Sequence, residues 1–115
     1  MYLTQTPEFK RGDTVLLNFE YTDSDTNLPL DLTGCAFRLY IKNVRTGELA
    51  VAATTANDLL QVDPELGRIR LNVPPHLTVD FIPGRHMYDI EMTDTSGAVF
   101  SSETNYIEII QDVTV

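Results

Sequence analysis

The chain has 115 residues, 43% of them hydrophobic, and its 17 acidic against 8 basic side chains leave a formal charge of -9. This length forms one domain, 1–115, that buries enough surface to fold without a disulfide or a metal, and the single cysteine, Cys35, rules out an internal disulfide framework and a thiolate cluster. The acidic balance opposes non-specific binding to nucleic acid or an anionic membrane; with no signal peptide and no membrane-length apolar stretch visible, folding in a cytoplasm is expected.

In chain order, Tyr2 to Glu8 reads as an edge or arm strand within 1–8, ended by Pro7 and Lys10-Arg11-Gly12-Asp13. Thr14 to Tyr21 follows as a strand with Val15, Leu17, Phe19 and Tyr21 on one face. After the polar loop Thr22 to Asn27, the alternating leucines of Leu28-Pro29-Leu30-Asp31-Leu32 predict an extended segment pressed on the core. Three hairpins come next. Cys35–Asn43 pairs with Leu49–Thr55, Leu59–Val62 with Arg68–Val73, and His86–Thr93 with Val99 onward, each turn carrying a glycine late in the loop. Between the second and third hairpins, Pro74 to Pro83 allows one helical turn at most, near 78–82, capped by Thr78. Tyr106–Ile110 is the last strand. The pattern is all-β: an antiparallel sandwich of about seven to nine strands with the turn spacing of immunoglobulin-like domains.

Few residues suggest chemistry. Cys35 is expected to be a buried, inert thiol in register with Phe37 and Leu39. His76 and His86 lack metal-ligand spacing with each other or with Cys35, and there is no nucleophile elbow or phosphate loop, so no enzyme is expected. Arg11-Gly12-Asp13 spells the integrin-binding tripeptide but reads as a tight turn into a strand. Asp23, Asp25 and Asn27 share the opening spacing of a calcium loop; Leu28 stands where that loop needs glycine, which excludes an EF-hand and leaves a looser calcium site or an acidic turn. Arg38, Lys42, Arg68 and Arg70 all take the outward register of their strands, forming either a basic patch for an acidic partner or a set of cross-strand pairs with acids such as Asp89 and Glu91. Tyr2, Tyr21, Tyr40, Tyr88 and Tyr106 could line a sugar-binding face, with the outward Tyr40 the best candidate.

One resemblance joins these pieces. Phe9-Lys10-Arg11-Gly12-Asp13-Thr14, Leu30-Asp31-Leu32-Thr33-Gly34 leading into Phe37–Ile41, Pro83–Glu91 and the closing Asp112-Val113-Thr114 look, in that order, like small phage structural proteins. They resemble the immunoglobulin-like N-terminal domain of siphophage baseplate upper proteins, over nearly the whole chain. The resemblance implies a virion component that docks onto other virion proteins in a tail, baseplate or fibre assembly, with capsid decoration or a carbohydrate- or calcium-dependent binding module as alternatives. It brings no catalytic residues and no cofactor, and makes a small-molecule ligand unexpected. A homo-oligomer is expected, with Tyr2 and Leu3 of the arm, Tyr40 and the four outward cations as interaction candidates.

Overall fold

Period-two alternation puts one set of side chains on each face of a strand, and the chain buries the apolar set. The computed structural model describes residues 6–111. Its strands are β1 (Glu8–Lys10), β2 (Val15–Glu20), β3 (Ala36–Asn43), β4 (Leu49–Thr54), β5 (Leu60–Asp63), β6 (Arg68–Val73), β7 (Gly84–Thr93), β8 (Val99–Ser101) and β9 (Asn105–Ile110). The larger sheet runs β1-β9-β7-β3-β4, with β8 also on β7, and the smaller runs β2-β6-β5. Neighbours are antiparallel except β1 and β9, which are parallel. Together they form an immunoglobulin-like sandwich.

The core lies between the sheets. Phe37, Leu39 and Ile41 of β3, Ile90 of β7, and Ile107 and Ile109 of β9 meet Val15 of β2 and Ile69, Leu71 and Val73 of β6. Each such side chain contributes about 1.5–3 kcal/mol by leaving water. Across the sheets, the Phe19 and Tyr88 rings meet edge-on at 6.0 Å.

The leucine segment behaves as its pattern predicts at two of its three leucines. Leu32 is buried and Leu30 half-buried, held by amide bonds from Leu30 to Tyr21 O (3.0 Å) and from Leu32 to Pro64 O (2.9 Å), whereas Leu28 stands in solvent. This segment passes so close to the β5–β6 turn that a Cβ on Gly67 (φ 64°) would sit 2.5 Å from Tyr21 O and 2.9 Å from Leu30 O. Only glycine fits there.

Several details differ from the sequence reading. Tyr2 to Gln5 lie outside the described residues; among those described, the first strand is Glu8–Lys10, running past the expected end at Glu8, and the Pro7 carbonyl accepts the Glu108 amide at 2.8 Å. The helical turn α1 is Pro75–Thr78, earlier than 78–82, because Pro75 supplies the helical φ at a position whose N–H is not needed. Thr78 therefore closes the turn rather than capping it: its hydroxyl donates to Asp13 O at 2.7 Å and ties the crossover to the β1–β2 turn. A further 3-10 turn, Pro64–Leu66, lies in the β5–β6 hairpin. The return strand after β7 is split. Ser102, Glu103 and Thr104 leave the ladder opposite Asp89 and Ile90, and the Ser102 hydroxyl accepts the Ile90 amide at 2.9 Å in place of a strand carbonyl.

Candidate docking faces

The outward cations do not form one patch. Arg38 and Lys42 lie on the outer face of the large sheet, Arg68 and Arg70 on the outer face of the small sheet, and the sandwich separates them. All four do point outward, as alternation requires.

On the small sheet the charges run in rows across strands. Glu20, Arg68 and Asp63 are register neighbours on β2, β6 and β5, and Arg68 Nε lies 3.4 Å from Glu20 Oε1. The next row is Asn18, Arg70 and Gln61, with Arg70 Nε 3.4 Å from Asn18 Oδ1. Every cation here is flanked by acceptors of its own molecule.

On the large sheet the charges run in columns along strands. Arg38, Tyr40 and Lys42 of β3 face Glu91, Asp89 and Met87 of β7. Arg38 and Glu91 form an ion pair, and the Arg38 guanidinium also lies 5.4 Å from the centre of the Tyr40 ring. Beyond β7, Tyr106 and Glu108 of β9 sit beside Met87 and Arg85, and the Arg85 guanidinium stacks 4.6 Å from the Tyr106 ring. Tyr40 is 37% and Tyr106 40% exposed. The Ser102–Thr104 bulge leaves a shallow depression beside Asp89, bordered by Tyr40 and Thr104. Sequence reasoning missed Arg85 and Met87, and it named Tyr106 among the tyrosines without placing it beside them. Their parity matches that of Asp89, but nothing local shows that β9 lies beside β7.

Tyr2 and Leu3 lie outside the described residues, as does Asp112 to Val115. The Asp23–Asn27 loop is an Asx turn: Asp23 Oδ1 accepts the amides of Asp25 (2.8 Å) and Thr26 (3.3 Å), and Asn27 takes a left-handed φ of 58°. Among the described residues no group of three or more His, Cys, Asp or Glu is placed to hold a metal ion. Two other turn carboxylates, Asp31 and Asp94, are held below their ordinary range, first by the hydroxyls of Thr33 and Ser96 and then by backbone amides. Arg11-Gly12-Asp13 is a turn, with the Asp13 amide donating to Lys10 O at 3.0 Å. Cys35 is half-buried against the core rather than fully enclosed.

His76 is exposed on α1, while His86 is 1% exposed. The His86 ring stacks on Phe81 at 5.5 Å, and its Nδ1–H donates to Gly84 O at 3.0 Å, which makes Nδ1 the protonated nitrogen of the neutral ring. Burial pushes its pKa down, against smaller upward pulls from that bond and from Glu108.

No known protein family and no curated protein sequence matches the chain. Solved structures do. CopC from Methylosinus trichosporium OB3b is similar at TM-score 0.54 and 9% identity, over 97% of this chain and 90% of that one. The N-terminal domain of phage TP901-1 ORF48 is similar at TM-score 0.55 and 9% identity, over 94% of this chain and 85% of that one. At such identity both likenesses are likenesses of fold. The second bears out the resemblance to a phage N-terminal domain.

Proposed function

We propose that this chain is a non-enzymatic structural protein of a phage virion, an immunoglobulin-like docking module of a tail, baseplate or fibre assembly. The observation that carries the reading is the fold shared with a phage N-terminal domain over 94% of the chain. The CopC likeness is equally a likeness of fold, but the phage one agrees with the family that the stretches from Phe9 to Thr114 resemble in sequence. Such a module acts by surface contact, and its partners are other virion proteins. A charge of -9 keeps it off packaged nucleic acid, whose phosphates repel it.

The test is to purify particles released from cells that carry this gene and to look for the chain by peptide mass spectrometry and immunogold labelling. Stoichiometric peptides with label on tails support the reading; label on heads replaces it with capsid decoration. Particles free of the chain overturn it.

A further inference from the structure

The outer face of the large sheet is electrically balanced in a strongly acidic protein. It carries four of the 8 cations, Lys10, Arg38, Lys42 and Arg85. Glu8, Asp89, Glu91 and Glu108 match them. Glu20 and Asp63 likewise offset Arg68 and Arg70 on the small sheet, so the net -9 resides in turns, loops and chain ends. Two copies meeting through those regions repel each other, whereas two meeting through a sheet face do not.

Composition and pattern choose between the faces. Tyr40, Tyr106 and Met87, residue types enriched in protein interfaces, lie on the large sheet, while the small sheet sets the exposed Leu16 among amides and charges and, among the described residues, has no outward aromatic ring; both sheets carry arginine and one internal ion pair. On the large sheet the basic column of β3 stands next to the acidic column of β7. A twofold axis running along the strands, between β3 and β7, sets Arg38 of one copy against Glu91 of the second, and the reverse. It also sets the exposed Leu49 of β4, level with Lys42, against Tyr106 of β9, level with Met87, and leaves the small Ala52 and Thr54 over the Ser102–Thr104 bulge and β8. An axis across the strands would instead oppose Arg38 to Lys42, cation to cation.

We propose that this face is a self-association surface that closes an isologous dimer about the axis along the strands. The dimer goes beyond the virion role and stands or falls apart from it: particles lacking the chain leave it intact, and a monomer leaves the virion role intact.

Charge exchange tests it by light scattering after size exclusion. The wild-type chain is expected at twice its 12.9 kDa mass. Arg38→Glu with Lys42→Glu turns the β3 positions acidic beside Asp89 and Glu91, and Asp89→Lys with Glu91→Lys turns the β7 positions basic beside Arg38 and Lys42; each variant alone is expected at one chain mass. Their equimolar mixture is expected to recover the doubled mass. Tyr106→Arg, which alters one exposed ring, gives the same drop to one chain mass should either double variant lose its β-sheet circular dichroism. A wild type of one chain mass at every concentration overturns the proposal, as does a dimer that survives these substitutions or a mixture that stays monomeric.

Discussion

On the small sheet Glu20, Arg68 and Asp63 lie in one row across three strands, so the arginine finds anions on both sides within its own molecule. On the large sheet Arg38 and Lys42 share one strand while Asp89 and Glu91 share the next, so each charge sign forms a stripe along the sheet. Both arrangements place outward charges at period two, and both cancel. Each sheet also closes one ion pair within its own molecule, Arg68–Glu20 on the small sheet and Arg38–Glu91 on the large. Columns leave a directional pattern that a second surface can match, and here the columns coincide with exposed aromatic rings.

The sharpest way to break the comparison is to unseat the small sheet alone. Gly67→Ala forces a Cβ to 2.5 Å from Tyr21 O, a backbone atom that cannot swing aside, at a φ of 64°. A loss of about 3 kcal/mol is expected in urea unfolding. Gly97→Ala, in the β7–β8 turn of the large sheet, has nothing within 4 Å and carries only the cost of its φ of 89°, about 1 kcal/mol. Equal losses would mean that the Gly67 contact relaxes freely.

Ser102→Ala removes the acceptor of the Ile90 amide at the bulge and is expected to cost about 1 kcal/mol. Amide exchange at Ile90 should rise with it, and unchanged exchange would mean that water replaces the hydroxyl. Smaller still are the ion pairs. Arg38→Ala and Arg68→Ala should each shift stability by less than about 1 kcal/mol, because both pairs are open to solvent. They should part company in association: Arg38→Ala weakens the dimer and Arg68→Ala does not.

A graded effect comes from His86. Its folded pKa lies below the ordinary 6.5 because burial disfavours the imidazolium. Above about pH 6.5 both folded and unfolded imidazoles are neutral and stability is flat. As pH falls below that value the unfolded chain takes up the proton first, so stability declines, then levels once the pH is below the folded pKa. His86→Gln should flatten this slope in thermal melts at pH 5 to 8; an unchanged slope would assign it to other groups.

How far the site was legible follows the same division. The outward positions of Arg38, Tyr40, Lys42, Arg68 and Arg70 could be read from alternation and are correct in the structure. Their grouping could not, since a patch spanning both pairs of cations, Arg38 with Lys42 and Arg68 with Arg70, requires the two hairpins to share a sheet. The helical turn was legible in kind but not in place: Thr78 resembles a cap in sequence, and only the approach of Asp13, 65 residues away, gives its hydroxyl another acceptor.

The amino-acid sequence by itself determined the class of fold, the turns and the inward or outward parity of nearly every strand residue. Those are local properties: a pleated strand repeats every two residues, and a loop needing positive φ selects glycine. The order of strands was decided only in the tertiary structure, because every strand edge offers the same N–H and C=O groups and cannot name its neighbour. That order brings Arg38 beside Glu91 across 53 residues of chain, adds Tyr106 to the same face, and turns four outward cations into two different surfaces.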